Sequence, residues 1–136
     1  MLLRPFLYFL FYSFIGWLID TAHRSYLEGQ FTSGSLTVLP LTPIYGIAAL
    51  AILLAHNNWE LKKIWQQFFV YGFIATVVEY LGGVFTLQIF GRRLWDYSEI
   101  PFNLHGHISL LHAFYWGLLA LLLIQVIHPR IQKFIK

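Results

Sequence analysis

The chain has no cysteine and very little charge. Without cysteine among its 136 residues, neither a disulfide nor thiolate chemistry is available to it. Charged residues make up 11% of the chain, whereas a soluble domain carries about 25%. Hydrophobic residues reach 58% and aromatic residues 19%. This balance predicts an integral membrane protein, with the lipid bilayer as its surroundings.

Several functional motifs are also missing. There is no GxxxxGK[ST] segment, and hence no nucleotide-hydrolysing P-loop, and there is no GxSxG nucleophile elbow. No histidines have the HExxH spacing of a zinc site, so we expect neither a metal nor another cofactor. The net charge of +3 comes without a basic cluster that interleaves aromatic residues, which argues against nucleic acid as a partner.

Four apolar segments stand out, at residues 5–22, 43–56, 64–90 and 108–127. A membrane-spanning helix needs about 20 residues, so the second segment is short unless residues 35–42 enter the bilayer as a re-entrant piece. Pro40 and Pro43 would make that piece irregular. The sequence therefore predicts an all-α polytopic membrane protein with about four transmembrane helices, forming a single domain over residues 1–136.

The basic residues predict the orientation in the membrane. With four spans, the side of the two termini holds six of them: Arg4, Lys62, Lys63, Arg130, Lys133 and Lys136. The other side holds three: Arg24, Arg92 and Arg93. Because basic loops stay in the cytoplasm, this imbalance places both termini on the cytoplasmic side of the cell inner membrane.

Three ionisable residues interrupt the apolar segments. Asp20, Glu79 and His112 each lie on a helical stripe of Gly, Ala and Ser, the residues that allow membrane helices to pack closely. An ionisable group at membrane depth costs several kcal/mol unless it is paired or faces a cavity. At about 1.5 Å per residue, all three fall in the outer third of a core about 30 Å thick. The sequence thus predicts one polar layer there.

The residues of this layer and of the two long outer loops are the candidate ligand-binding residues: Asp20, His23, Arg24, Tyr45, Glu79, Tyr80, Arg92, Arg93, Trp95, Asp96, Tyr97, Asn103, His107 and His112. Each of the three layer residues also has a purely structural interpretation. Asp20 would pair with Arg24 one helical turn away, Glu79 would be a hydrogen-bonded packing residue, and His112 would be a satisfied interior histidine.

Several short blocks occur together in a fixed order: YSFIGW at 12–17 with an acid at 20, PIYG at 43–46, EY at 79–80 with Gly82, WDYS at 95–98, PFN at 101–103 with Gly106, ISL at 108–110 and WG at 116–117. In this order they resemble the putative ABC-transporter type IV family, also called CmpB-like. Its members are small multi-pass membrane proteins regarded as permeases, so the resemblance implies a permease that works with a separate ATPase.

The chain departs from the family pattern at several positions. Asp20 stands where the family usually has Glu, and His107 where Arg is common. Residues 32–34 and 38–39 replace an Asn-Arg-Gly and a Gly-Pro. In addition, the one internal loop on the predicted cytoplasmic side, residues 57–63, is short and lacks an evident coupling helix for an ATPase.

Three functions fit these observations. The first is transport or binding of a small polar solute or a lipid head group, with Asp20 and Glu79 carrying charge or protons. Arg92 and Arg93 would attract anionic groups, and residues 95–103 would form a lid. We expect a homo-oligomer, because four short helices enclose little volume.

The second function is a membrane-embedded enzyme that acts on a lipid or prenyl chain. Glu79 or Asp20 would then be its general acid or base, with His112 or His107 as partner. The third is a structural or regulatory subunit, in which the polar layer holds the helices together.

Overall fold

The computed structural model describes residues 1–135 and is mostly helical. Its elements are α1 (Leu3–Glu28), α2 (Pro43–Asn58), α3 (Ile64–Phe90), β1 (Asn103–Leu104), β2 (Ile108–Ser109), α4 (Leu110–Leu122), a π-turn (Leu123–Ile127) and α5 (His128–Ile131). The π-turn joins α4 and α5 into one continuous rod. The predicted all-α class is confirmed, and a two-stranded ribbon is added to it.

Three helical stretches are long and apolar enough to cross a membrane, namely Leu3–Glu28, Ile64–Phe90 and Leu110–Ile131. This confirms the membrane class. The helix α2 has 16 residues, which corresponds to about 24 Å at 1.5 Å per residue. Residues 35–42 form bends rather than a helix. A fourth span and a re-entrant piece therefore stay predictions.

Glycines in the left-handed conformation end the two longest helices. The predicted first segment stops at residue 22, but α1 continues to Glu28, because neither glycine nor proline occurs between residue 22 and Gly29. Gly29 has φ +68° and Gly91, after α3, has φ +66°. A residue in this conformation ends a helix because it allows the last free carbonyl groups to be hydrogen-bonded. Glycine adopts the conformation with little strain because it has no side chain.

The described chain divides into two compact units, the first being Met1–Leu50 and the second beginning at Ala51. In the first unit, the loop after α1 folds back onto that helix. The indole N–H of Trp17 donates to Ser33 Oγ at 2.9 Å, and the Gly34 N–H donates to Thr21 Oγ1 at 3.0 Å. Further along, the Thr42 N–H donates to the backbone carbonyl of α1 residue Ser13 at 3.0 Å.

The second unit is built around the contact of α3 with α4. A Cβ added at Gly72 would lie 2.9 Å from the Cα of Gly117, so the two backbones nearly touch. Small residues allow this approach in membrane helices. The buried side of α3 carries a residue at every fourth position, namely Gln67, Tyr71, Ala75, Glu79 and Gly83.

Residues 91–109, here called the α3–α4 loop, are folded rather than extended. Asn103 pairs with Ser109 and Leu104 with Ile108 in an antiparallel ribbon. The Tyr97 N–H donates to the Gly106 carbonyl at 2.9 Å and closes the first half of the loop onto the second. The ribbon ends directly at α4, so the loop is fixed to the helix that it precedes.

Candidate functional site

Glu79 is buried on α3, with 5% of its surface exposed. Its Oε1 accepts a hydrogen bond of 2.8 Å from the Tyr97 hydroxyl, and its Oε2 accepts one of 2.7 Å from the indole N–H of Trp116. The two donors belong to different elements, the α3–α4 loop and α4. A buried carboxyl group is costly unless such donors satisfy it. Glu79 therefore joins three parts of the second unit at one point.

His112 completes this site from the first turn of α4. Its imidazole lies flat against the Tyr97 ring, with the ring centroids 3.8 Å apart. Ser109 Oγ accepts from the His112 N–H at 3.1 Å, as an N-terminal helix cap does, and lies 2.7 Å from His112 Nδ1. The same hydroxyl can donate to a neutral Nδ1 or accept from a protonated one. We call Glu79, Tyr97, Ser109, His112 and Trp116 together the Glu79 site.

A second set of contacts holds the loop on α3. Tyr80 Oη lies 3.0 Å from His105 Nδ1, and the Tyr80 ring meets the His107 ring edge-on at 5.3 Å. His107 packs so closely on α3 that a Cβ at Gly83 would lie 2.5 Å from its Nδ1. The indole N–H of Trp95 donates to the His107 carbonyl at 2.9 Å.

The electrostatics of the loop favour a neutral His107. Burial of its imidazole lowers the pKa of His107 below the usual value, and the nearby Arg93 and His105 lower it further. Asp96 acts in the opposite direction on this group, but more weakly. A neutral ring is the form that packs against α3 without a desolvation penalty.

Other predicted site residues make hydrogen bonds within the α3–α4 loop. Asp96 accepts from the hydroxyl and the backbone N–H of Ser98, and these bonds hold the pKa of Asp96 below its usual range. The amide of Asn103 donates to two loop carbonyls and accepts from the Gly106 N–H at 3.0 Å. Arg93 donates to the His105 carbonyl at 2.8 Å. The role of these residues in binding a ligand stays a prediction, as does that of Arg92, which lies exposed.

Asp20 belongs to the first unit, where its partner is another predicted residue. The Tyr45 hydroxyl donates to Asp20 Oδ1 at 2.8 Å. Two glycines make room for this pair, because a Cβ at Gly16 would lie 2.2 Å from the Tyr45 ring and one at Gly34 would lie 2.5 Å from the Asp20 Cβ. His23 is exposed, whereas Arg24, proposed above as the partner of Asp20, is half-buried.

The structure thus gathers Glu79, Tyr97 and His112 in the second unit, and Asp20 and Tyr45 in the first. A single layer that contains all of them stays a prediction.

The sequence did not single out Trp116 and Ser109 as site residues. Both lie on the same helical stripe of α4 as His112. Trp116 could have been identified from the sequence, because a buried indole N–H needs a hydrogen-bond acceptor. Glu79, on the facing stripe of α3, is the acceptor that the structure supplies.

Chemically, the Glu79 site combines a carboxyl group with neutral donors. Carboxylate, phenol, hydroxyl and imidazole groups can bind a proton or a polar head group, and one of the two donors to Glu79 belongs to the α3–α4 loop. In residues 1–135 no group of three or more His, Asp or Glu side chains is arranged to hold a metal ion.

A family model matches the chain. Residues 7–136 match the model of the family described as Putative ABC-transporter type IV. No curated protein and no solved structure matches the chain. Because the match covers nearly the whole chain, the resemblance seen in the sequence is confirmed, and the chain belongs to this family.

Proposed function

We propose that this member of the putative ABC-transporter type IV family is a permease-like membrane protein that binds a small polar solute or a lipid head group at the Glu79 site. One observation carries the proposal. The buried carboxyl group of a membrane-spanning helix receives one of its two hydrogen bonds from a loop, through Tyr97. An ionisable residue inside a membrane segment is a functional candidate by default.

The two donors to Glu79 have different roles in this proposal. Trp116 belongs to α4, which packs closely on α3, so its hydrogen bond persists through the cycle. Tyr97 leaves with the α3–α4 loop when the loop lifts. A hydroxyl, amine or ammonium group of the ligand then takes its place at Oε1. The loop acts as the lid, and residues 95–103 are its moving part.

The remaining predicted residues take supporting roles. Arg92 is exposed at the start of the loop and attracts anionic groups together with Arg93. Asp20 and Tyr45 form a second carboxyl–phenol pair, which has the same hydrogen-bond chemistry as Glu79 and Tyr97. We propose that Asp20 and Glu79 both carry charge or protons during transport.

The orientation proposed for the protein has four spans and both termini in the cytoplasm. In support, α2 is uninterrupted from Pro43 to Asn58 and has no Asp, Glu, Lys or Arg. Its shortness fits a locally thinned bilayer or contacts with a second copy in a homo-oligomer. The Glu79 site and its loop then lie in the outer third of the membrane, away from any cytoplasmic ATPase.

A structural role for the Glu79 site is the second candidate. The observation that favours it is that the protein's own side chains already bind both carboxyl oxygens. In that case Glu79 fixes the loop and α4 onto α3, and no ligand replaces Tyr97.

Thermal melting of the purified protein with defined probes separates the two candidates. The probes are ethanolamine, choline, glycerol 3-phosphate and inorganic phosphate, which represent the cationic and anionic parts of lipid heads and small solutes. We expect at least one probe to raise the Tm of the wild type but not that of Glu79→Gln. Tyr26→Phe, which changes an exposed tyrosine of α1, is the matched control and keeps the response. A lowered Tm of Glu79→Gln with no probe response in the wild type supports the structural role.

A further inference from the structure

A second polar cluster lies in the same unit, near the start of α3. It consists of His56, Gln67, Tyr71, Gln125 and His128, and we call it the second polar cluster. Tyr71 is fully buried, and Gln67 and His128 are exposed by only 5% and 7%. Neither composition nor motif points to these residues. Buried polar groups in a membrane protein are expensive and mark functional candidates.

Hydrogen bonds join four members of this cluster in two pairs. His56 Nδ1 lies 2.9 Å from Tyr71 Oη, with the two rings edge-on. The amide of Gln125 donates to Gln67 Oε1 at 2.6 Å, and the Gln67 amide donates to the Leu61 carbonyl at 2.8 Å. The two glutamines thereby connect the end of one helix to the start of another, whereas His56 and Tyr71 form a separate pair.

The π-turn brings His128 into the cluster. Pro129 has no N–H to donate to the Gln125 carbonyl, and its ring clashes with that group in a regular helix. The helical turn before Pro129 is therefore wider than an α-helical turn, and the His128 N–H donates to the Leu123 carbonyl five residues earlier. The wider turn keeps His128 on the buried side together with Ile124. Such turns occur frequently at functional sites.

The cluster and the Glu79 site share one side of α3. Gln67, Tyr71 and Glu79 are buried there at intervals of four and eight residues. From Tyr71 to Glu79 the helix rises by about 12 Å at 1.5 Å per residue. Ala75, between them, is fully buried and small, so no bulky side chain of α3 separates the two groups.

The His56–Tyr71 pair can accept a proton without losing its hydrogen bond. When His56 is neutral, its Nδ1 can accept from the phenol. When Nδ1 takes a proton, it donates to the phenol oxygen instead. The titratable groups that face His56 are Tyr71 on α3 and His128 on α5. His128 lies close enough to His56 for the two imidazoles to interact electrostatically. His56 is half-buried and links the surface to the buried Tyr71.

We propose that the second polar cluster is a proton-binding site, and that protons pass between it and Glu79 along the buried side of α3. A hydronium ion gives its proton to His56 and becomes water. His56 passes a proton through the Tyr71 hydroxyl to water, and the Glu79 carboxylate binds it. No electron is transferred. This inference rests on the proposed transport function and supplies its energy source, a proton gradient.

A simple structural tie would not need these residue types. In lipid, two apolar side chains hold neighbouring helices together without the cost of burying a phenol and an imidazole. The cluster instead places groups that exchange protons near the start of α3, about 12 Å along the helix from Glu79.

Proton flux into proteoliposomes tests the inference. The full chain is reconstituted with a pH-sensitive dye in the lumen, and a potassium diffusion potential drives protons. We expect flux above that of protein-free liposomes. His56→Gln and Tyr71→Phe lower it by at least about tenfold, as expected when a positioned proton-transfer group is lost. Tyr26→Phe, which changes an exposed tyrosine of α1 and so matches Tyr71→Phe, conducts like the wild type. Equal flux in the wild type, His56→Gln and Tyr71→Phe overturns the inference, and so does a wild type without flux.

A second readout does not depend on transport. Nitrogen NMR of histidine-labelled protein in nanodiscs follows the protonation of His56 directly. We expect the His56 signals to move from the neutral to the charged form when the pH is lowered. We also expect Tyr71→Phe to change the tautomer. A His56 that stays neutral at the lowest pH contradicts the proposal even where a variant folds poorly.

The outcomes also distinguish this inference from the proposed function. If Glu79→Gln loses the melting response to a probe while His56→Gln conducts normally, ligand binding at Glu79 stands and the proton site fails. If no probe acts through Glu79 but proton flux depends on His56 and Tyr71, the proton site stands and ligand binding fails.

Discussion

The Tyr97 ring lies flat on the His112 imidazole, with the two planes only 9° apart. Tyr97 comes from the α3–α4 loop, and His112 from the first turn of α4. The stacked ring presents its hydroxyl to Glu79 on α3. One side chain of the loop therefore contacts both helices, and its loss affects loop closure more than helix formation. The first prediction follows from this arrangement.

Tyr97→Phe should keep the stack on His112 and remove the hydrogen bond to Glu79. A buried acceptor that loses its donor costs about 1–3 kcal/mol. We expect a decrease of that size in the free energy of unfolding, measured by denaturant titration of the protein in detergent. Tyr26→Phe, at an exposed site, should leave it unchanged. Equal stability of Tyr97→Phe and the wild type would show that Glu79 does not depend on the loop.

Trp116→Phe should remove the other donor to Glu79, and its effect should depend on Tyr97. Because both donors act on one carboxyl group, the double variant with Tyr97→Phe should deviate from additivity by about 0.5–3 kcal/mol. A double-mutant cycle on the free energy of unfolding measures this coupling. Additive losses would mean that the two hydrogen bonds are independent.

Gly83→Ala should displace the α3–α4 loop. The new Cβ would lie 2.5 Å from His107 Nδ1, closer than unbonded atoms approach, so the His107 ring must move away from α3. We expect faster proteolytic cleavage of the loop with little change in helix content by circular dichroism. Leu81→Ala, which alters an exposed side chain of the same helix, is the control. A loop as resistant as that of the wild type would be inconsistent with this contact.

Acid should loosen the same loop, beginning near the pKa of ordinary histidine. The pKa of His107 is lowered in the folded loop, so the released loop binds more protons. The stability of the closed loop is therefore complete above the ordinary value of about 6.5 and falls as the pH decreases toward the lowered value. Asp96, whose pKa is also lowered, adds a loss only below about pH 4.

Amide hydrogen exchange of residues 94–107 between pH 7.5 and 5 measures this effect, after correction for the intrinsic rates. The titratable and charged groups that face His107 are Arg93, His105, Asp96 and, from α3, Tyr80. His107→Gln should flatten the pH dependence. If the protection of the loop stays constant down to pH 5, His107 does not control closure.

Two hydroxyls of α1 should respond in opposite directions when they are removed. Ser13 Oγ is buried and has no hydrogen-bond partner within residues 1–135, whereas Thr21 Oγ1 accepts from the Gly34 N–H. Ser13→Ala should raise the free energy of unfolding by about 1 kcal/mol, and Thr21→Val should lower it by a similar amount. The same denaturant titration measures both, and a destabilised Ser13→Ala would reveal a use for that hydroxyl.

The helices could be predicted from the sequence because their signals are local. The limits of α3, residues 64–90, follow from an apolar stretch that ends at Gly91, and the structure has the same limits. The inward direction of Glu79 and His112 follows from their small-residue stripes. The direct contact of Tyr97 with both could not be predicted, because 18 and 15 residues separate them along the chain and only the folded loop brings them together.

The second polar cluster could not be predicted for a different reason. Polar residues are common near the ends of membrane helices and do not by themselves indicate a site. This applies to Gln67, Tyr71 and His128. Their burial depends on the π-turn before Pro129, which alters the helical phase on which sequence periodicity relies. A regular helix drawn through residues 110–131 gives His128 a different direction.

The hydrogen bond from Trp116 to Glu79 also supplies an internal optical label. An indole whose N–H points at a carboxyl group experiences a different electric field when that group gains or loses a proton, and its emission shifts accordingly. In a variant that keeps Trp116 as its single tryptophan, the colour of the fluorescence would report the state of Glu79 without an added dye. Binding of the proposed ligand could then be followed in real time at the site itself.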